Sequence, residues 1–479
     1  MTYKILKSTD WTGFLNKIDE FFDGIKGKKI AICGIGNNNV PVALQFASHG
    51  AVVTACDRRW REELGDTARV LESAGISLCL GESYLDSLCE VGADMILRTP
   101  GMQPFLPQFD APRSMGIEIT SDMDIFFRLC PAPIVAVTGS DGKTTTSTVI
   151  AGMLEEAGYN VHLGGNIGRS LLPEIDSIDE KDRVVVELSS FQLIDMKHSP
   201  HIAVVTNVSP NHLDWHTDME EYIVAKKNII AYQNENDRAV LNADNDTTLV
   251  FAQETAARVF WFSHEIRPEI GPFIENGAIY FAEKDEETFI INTADIALPG
   301  VHNIENYMAA FAAVWGSVSP AIMEGFAKEF AGVAHRCEFV RETNGVKWYN
   351  DSIGSSPSRT IAGLKAFEQK VILIAGGYDK NIPYDPLGVV AADTVSHAVL
   401  LGATADKIEQ SIKKYSGDSM SVTSVPVTKF KTLDDAVKFA EGIAKNGDVV
   451  LFSPASASFD MYKNFEERGN HFKALVNAL

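Results

Sequence analysis

Pro133-Ile-Val-Ala-Val-Thr-Gly-Ser-Asp-Gly-Lys-Thr-Thr-Thr146 runs a short β-branched stretch into a glycine loop and then into a helical pattern. The stretch before Gly139 reads as a strand buried on both faces, because apolar residues follow one another without polar alternation. Gly139 and Gly142 let backbone N–H groups approach phosphate oxygens closely. The helical pattern from Thr144 to Ala157 turns a partly positive N-terminus on the same point. Lys143 adds a full charge near the terminal phosphates, and the Thr144 hydroxyl suits Mg²⁺. The glycines are separated by two residues, where the common phosphate loop has four. Taken alone, the string also reads as a plain tight turn between strand and helix.

Two further segments repeat the pattern of strand followed by glycine: Lys29-Ile-Ala-Ile-Cys-Gly-Ile-Gly36 and Lys370-Val-Ile-Leu-Ile-Ala-Gly-Gly377. Helical patterns lie between and after them, as at Pro357 to Phe367 and Asn303 to Ala331. Such alternation argues α/β architecture with mostly parallel sheets. A chain of 479 residues accommodates about three domains. Boundaries near Ser121 and Gly332 place them at 1–122, 123–331 and 332–479.

Composition narrows the function. The 42 Lys and Arg against 64 Asp and Glu leave a net charge of −22, which disfavours nucleic acid and anionic membrane as partners. Small anions remain open, since glycine loops and helix ends hold them locally. The N-terminus lacks the apolar core of a secretory signal, and no apolar run reaches the length of a membrane span. Cys33, Cys56, Cys79, Cys89, Cys130 and Cys337 form no C-x-x-C pair, so the expectation is small buried side chains in a reducing cytoplasm.

Beyond the glycine loop, carboxylates and a histidine follow strand patterns. Glu187 lies in the strand segment Arg183-Val-Val-Val-Glu-Leu-Ser-Ser-Phe-Gln192, where a parallel strand ends, on the edge where α/β sheets bind ligands. A carboxylate there suits Mg²⁺ or serves as a helix-cap partner. His212 and Asp214 follow the strand Ile202 to Val205, and His212 reads as ligand or as structural. In the helical Tyr222-Ile-Val-Ala-Lys-Lys227, only one of the two lysines can face a site, since neighbours lie about 100° apart.

Thr138-Gly-Ser-Asp-Gly-Lys-Thr-Thr145 is similar to the phosphate loop of Mur ligases and folylpolyglutamate synthases. Gly164-Gly-Asn-Ile-Gly168, Tyr222 to Lys226, Leu298-Pro-Gly-Val-His-Asn-Ile-Glu-Asn306, Gly332-Val-Ala-His-Arg-Cys-Glu338 and Tyr349-Asn-Asp-Ser352 resemble further Mur ligase segments. The resemblance covers nearly the whole chain. It implies an N-terminal Rossmann-like domain for a UDP-linked substrate, a central P-loop-type ATPase domain and a C-terminal Rossmann-like domain.

It also implies roles. ATP would meet Gly139, Ser140, Asp141, Gly142, Lys143, Thr144 and Thr145, with Asn303 and Asn306 toward the base, Arg336 on the phosphates and Asp351 on the ribose. Asn303 equally reads as a helix cap. Two Mg²⁺ would sit on Thr144 and Glu187 and on His212 and Lys226, the lysine carrying a carbamate formed from CO₂. Lys143, His212 and Lys226 are the expected catalytic residues. Carbamate formation needs a neutral amine, so the Lys226 pKa must be low.

Within the family, Asp57-Arg-Arg59, Thr99-Pro-Gly-Met102, Gly376-Gly-Tyr-Asp-Lys-Asn381 and Ser453 to Asn470 look like the D-glutamate-adding branch. Gly36, Asn37, Asp57, Arg58, Arg59, Pro100, Gly101, Asn166 and His212 are the expected contacts of UDP-N-acetylmuramoyl-L-alanine. Asn39 stands where a dinucleotide fingerprint has its third glycine, which weakens an NAD reading. Lys380, Ser458, Phe459 and Phe465 are expected around D-glutamate, although periodicity alone would put Phe465 in the core. Ile353 replaces a family lysine, leaving Ser355, Ser356 or Arg359 to compensate. Closure of the C-terminal domain over the site and a monomeric state are expected. L-Glutamate, a folate-type acceptor and a catalytically silent scaffold remain alternatives at this point.

Overall fold

The computed structural model describes residues 12–479 apart from 37, 87, 167–168, 213–214, 299, 331, 368, 381 and 417–423. The chain divides into two compact units after Glu329. The first contains β1 (Lys29–Cys33), β2 (Val52–Asp57), β3 (Ser77–Leu80), β4 (Met95–Arg98) and β5 (Glu118–Thr120), in the order β3-β2-β1-β4-β5. Every pairing in this sheet is parallel. The same unit holds β6 (Ile134–Thr138), β7 (Val161–Gly165), β8 (Arg183–Glu187), β9 (Ile202–Val205), β10 (Arg238–Asn242) and β11 (Arg258–Phe262). Their order is β11-β10-β9-β6-β8-β7, again all parallel.

The apolar run at β6 is buried at every residue, as expected of a strand with neighbours on both edges and helices on both faces. Each fully buried aliphatic side chain of this kind contributes roughly 1.5–3 kcal/mol. The helix Lys143–Glu156 follows β6 directly, and the helix Val301–Val314 packs against it. The far end of the second helix is stoppered by Arg238. Its guanidinium donates to Ala312 O (2.9 Å), Ala313 O (3.0 Å) and Trp315 O (3.1 Å) while lying over the Phe260 ring.

The helical pattern from Asn303 to Ala331 resolves into two helices, Val301–Val314 and Pro320–Glu329. Gly316 adopts a left-handed φ of +85°, and Pro320 starts the second helix, where its missing N–H is harmless. An antiparallel three-stranded sheet, β12 (Ile270–Glu275), β13 (Ala278–Glu283) and β14 (Glu286–Asn292), has no counterpart in the sequence reading.

The second unit contains β15 (Glu338–Thr343), β16 (Val346–Asn350), β17 (Val371–Ala375), β18 (Val395–Leu401), β19 (Val427–Phe430) and β20 (Val449–Phe452). Their order is β15-β16-β20-β17-β18-β19, and only the β15–β16 pair is antiparallel. The architecture is therefore mixed α/β with parallel sheets. Among the described residues no helix is long and apolar enough to cross a membrane.

Candidate active site

Three strand ends of the central sheet meet at the glycine loop. β6 lies between β8 and β9, so the loop at its end is flanked by Glu187 on one side and Thr206 on the other. Thr206 Oγ1 donates to Asp141 O (2.6 Å), and Asp141 N donates to Asn207 Oδ1 (3.0 Å). A Cβ on Gly139, whose φ is +149°, would lie 1.9 Å from Thr206 Oγ1. One on Gly142 (φ +81°) would lie 2.1 Å from Asn306 Oδ1. Both glycines are required by close approach as well as by backbone conformation.

Lys143 curls over this loop, its Nζ donating to Gly139 O and Ser140 O at 2.9 Å each. Thr144 Oγ1 donates to Glu187 Oε2 at 2.7 Å, and Asn166 Nδ2 donates to Glu187 Oε1 at 2.7 Å. A hydroxyl and a carboxylate at hydrogen-bond distance form the start of a hard-oxygen set that fits Mg²⁺. Among the described residues no group of three or more His, Cys, Asp or Glu is arranged as a metal cluster.

Lys226 is buried, and its Nζ donates to Gly139 O (2.7 Å) and Thr138 Oγ1 (3.4 Å). Burial, and next the charge of Lys143, push its pKa well below the usual lysine value; Asp141 and Glu187 oppose the shift. Lys227 points the other way, to Glu254 at 2.5 Å. Tyr222, one turn before Lys226, presents its ring 4.7 Å from Nζ and its hydroxyl 2.9 Å from Ser140 Oγ. Thr206, Asn207 and Tyr222 brace the loop, and the sequence reading assigned them no role.

His212 is exposed, with a φ of +54°, and its ring packs edge-on to Phe191 at 5.0 Å. Asp214 lies outside the described residues. Asn303 and Asn306 are buried on the helix Val301–Val314. Asn306 donates to Asn303 Oδ1 (3.3 Å) and accepts from Thr146 Oγ1 (3.3 Å), so both are tied to the phosphate-loop helix.

In the first sheet, the loops after β1 and β4 flank the point where strand order reverses, the usual place for a ligand in such sheets. A Cβ on Gly34 (φ +93°) would lie 2.7 Å from Thr99 Cγ2, so the two loops touch. Asn39 holds the same turn from below, its Nδ2 donating to Gly34 O at 2.9 Å. Asp57 faces inward: Oδ2 accepts from Ile35 N (2.7 Å), and Oδ1 accepts from Arg59 N (2.9 Å) and Nε (3.0 Å). Burial would raise its pKa, but the hydrogen bonds from Arg59 and Ile35 outweigh that and hold it below the usual value. Arg58 is exposed, and Gly36, Pro100 and Gly101 line the paired loops. Asn37 lies outside the described residues.

The scattered cysteines also meet here. Cys33, Cys56 and Cys79 occupy one register across β1, β2 and β3. Hydrogen bonding from Cys33 and burial push the Cys56 thiol up.

In the second unit, the ends of neighbouring β16, β20 and β17 carry the remaining candidates. Lys380 is exposed and donates to Ser355 O (3.4 Å) and Oγ (3.5 Å). Partial burial, then the charges of Arg359 and Arg468, lower its pKa. Tyr378 N donates to Ala457 O (2.9 Å), which sets Lys380 beside the loop of buried Ser458 and exposed Phe459. Phe465 opens the helix Phe465–Asn477, half-buried with its ring 6.0 Å from His335.

Arg336 follows His335, whose φ is +64°. Asp351 is buried, accepting from Ser453 Oγ (2.5 Å) and Cys337 N (3.2 Å), and burial raises its pKa to about 6. Ile353 is half-buried, Ser356 Oγ contacts Ser358 Oγ, and Arg359 is exposed. Of the three candidates to replace the absent lysine, Ser355 contacts Lys380 directly. Arg468, also unassigned from sequence, ties two of these loops together by donating to Ser352 O (2.8 Å), Ser456 O (3.1 Å) and Ala457 O (2.9 Å).

The Mur ligase middle-domain model matches residues 137–314, and the Mur ligase glutamate ligase domain model matches residues 335–456. The chain belongs to the Mur ligase family. This Mur ligase is 52% identical over 463 residues to the UDP-N-acetylmuramoylalanine–D-glutamate ligase of Acetivibrio thermocellus, covering 97% of this chain and 99% of that protein. It is 48% identical to the enzyme of the same name from Ruminiclostridium cellulolyticum, with the same coverage. Among solved structures, UDP-N-acetylmuramate-alanine ligase from Thermotoga maritima shares the fold at a TM-score of 0.55 and 18% identity, covering 94% of this chain and 99% of that one.

Proposed function

We propose that this Mur ligase joins D-glutamate to UDP-N-acetylmuramoyl-L-alanine at the expense of ATP, in cytoplasmic peptidoglycan precursor synthesis. The observation that carries the reading is the meeting, at one end of the central sheet, of the phosphate loop, the Thr144–Glu187 pair and the buried Lys226. The names of relatives about half identical over nearly the full length supply the substrates. The domain division at 1–122, 123–331 and 332–479 belongs to the same reading.

A carboxylate does not exchange its oxygen for an amine at neutral pH, because the oxygen is a poor leaving group. Transfer of the γ-phosphoryl group of ATP to the substrate carboxylate removes that obstacle. The glutamate amine then attacks the acyl phosphate, and the tetrahedral intermediate collapses to amide and phosphate. Glycine-loop N–H groups and Lys143 offset charge on the transferring group. Thr144 and Glu187 would hold one Mg²⁺, and His212 with a carbamate on Lys226 a second, supplying further charge neutralisation. The burial of Lys226 and its lowered pKa support carbamylation, which requires the neutral amine.

Asn303, Asn306, Arg336 and Asp351 would take the nucleoside and phosphates of ATP. Gly36, Asn37, Arg58, Pro100, Gly101 and Asn166 would contact the UDP-linked substrate, with Asp57 and Arg59 bracing the first of these loops. Lys380 would pair with one glutamate carboxylate and Ser458 with the other, between Phe459 and Phe465. A monomer suffices, since no step requires a second copy.

The test mixes protein, ATP, Mg²⁺ and UDP-N-acetylmuramoyl-L-alanine with D- or L-glutamate, reading phosphate release and product mass together. A product heavier by one glutamate residue with D-glutamate alone is expected. Absence of ATP turnover with the complete set would overturn the assignment.

A further inference from the structure

Arg98 ends β4, and its side chain is fully buried. A buried guanidinium is costly unless its donors are met, and here they are. Nε donates to Asp195 Oδ2 (2.8 Å), and Nη2 donates to Asp195 Oδ1 and to Phe191 O (3.1 Å). Nη1 donates to Met102 O (3.0 Å), Thr99 O (3.3 Å) and Pro100 O (3.4 Å). One rigid planar group thus spans from the loop after β4 to the segment that begins just past Glu187.

A second tie runs beside it. Trp215 Nε1 donates to Gly101 O (3.0 Å), and Gln103 Nε2 donates to Trp215 O. The Trp215 ring lies 4.4 Å from that of Phe191, which also packs against His212. The short helix carrying Phe191 is fixed in turn by its Ser189–Gln192 capping box and by Ser190 Oγ, 2.9 Å from His216 Nε2. The loop 99–103 of the first sheet and the loops around Glu187 and His212 of the central sheet therefore form one hydrogen-bonded body.

We propose that Arg98, with Asp195 and Trp215, is a positioning residue that sets where the loop 99–102 holds the UDP-linked substrate relative to the phosphoryl-transfer site. Bidentate pairing with Asp195 fixes the plane of the guanidinium, and three carbonyls of the loop take their places from it. The proposal rests on the reading of Pro100 and Gly101 as contacts of that substrate. It makes Arg98 a determinant of alignment for the acyl group, with no contact to the reacting atoms.

The test uses Trp215→Phe, which keeps a ring against Phe191 but removes the donor to Gly101, together with Arg98→Lys and Asp195→Asn. KM for UDP-N-acetylmuramoyl-L-alanine and for ATP are measured separately, alongside calorimetric affinity for UDP-N-acetylmuramoyl-L-alanine and melting temperature. The expected result for Trp215→Phe is an unchanged ATP KM and a rise of about fivefold in the KM and dissociation constant of the UDP-linked substrate. Arg98→Lys should show a larger rise and a lower kcat, on the order of tenfold or more, as misplacement at a reacting centre produces.

Folded variants with lowered melting temperatures but unaltered affinity for the UDP-linked substrate would overturn the proposal and leave the network a structural brace. Where Arg98→Lys does not fold, the Trp215→Phe result decides. Wild-type protein that binds the UDP-linked substrate but never joins D-glutamate to it would sink the assigned reaction, while the affinity of the variants would still decide the role of Arg98.

Discussion

The first two sheets each place a glycine loop at the end of an inner strand, and the two loops are finished in opposite ways. After β1, the loop is neutralised from within: Asp57 takes Ile35 N and Arg59, and Asn39 clamps the turn. After β6, the loop gathers Lys143 and Lys226, both donating to Gly139 O. The carboxylate beside it, Glu187, is engaged by neutral Thr144 and Asn166. In the proposed reaction, the same local architecture serves a passive cradle in one case and a site that must meet developing phosphoryl charge in the other. What separates them is where the cations are allowed to rest.

The largest expected break in this contrast is Lys143→Ala. Removing the cation beside the transferring group should lower kcat by on the order of 10³-fold or more, with the fold unchanged by circular dichroism. Lys226→Ala should reduce turnover to a similar floor, and a small added carboxylate should restore part of it. Full activity without rescue would remove Lys226 from the mechanism.

Lys226→Met separates stability from activity. The folded state depresses the lysine pKa, so the unfolded chain binds more protons between the folded value and 10.5. Stability of the wild type therefore rises with pH through that window, and the penalty of burying the cation is greatest below it. The methionine variant should be inactive yet more stable at neutral pH, by about 1–3 kcal/mol, with the gap closing in alkali. Urea midpoints across pH read this directly.

Asp57→Asn should show the opposite sign and a smaller effect. The Asp57 pKa is depressed in the folded state, so its contribution is present above the unfolded value of about 3.8 and is lost as pH falls through the lower folded value. A cost of about 1–2 kcal/mol at neutral pH, vanishing in acid, is expected. Equal pH slopes for the two variants would erase the distinction between the loops.

Much of this was legible because the signals are local. The runs at β1, β6, β9 and β17 are apolar and stop at glycine or a polar residue, so they are found as strands, while the segment quoted for β8 runs on to Gln192 and the strand stops at Glu187. Helical period says only that one of Lys226 and Lys227 can face a site; the choice of Lys226, whose Nζ meets Gly139 O, comes from the family resemblance. Other features depend on partners distant in sequence. Arg98 is 97 residues from Asp195, and Arg468 is 116 from Ser352. A lone arginine carries no sign of burial, so neither stood out. The cysteine row was hidden for the same reason, because only strand register aligns Cys33, Cys56 and Cys79. The antiparallel sheet did leave a trace, since Asn276-Gly277 joins β12 to β13 with φ of +50° and +77°, a turn that this dipeptide favours.

Arg238, at the closed end of the helix Val301–Val314, gives that helix the character of a ruler. Its fourteen residues span about 20 Å from the guanidinium stopper to the turn that carries Asn303 and Asn306. With one end anchored, the amides stand where residue count puts them. Deleting or inserting a single residue would swing them about 100° around the axis, away from Gly142 and Thr146. Sequence drift along this segment is therefore not free to change its length.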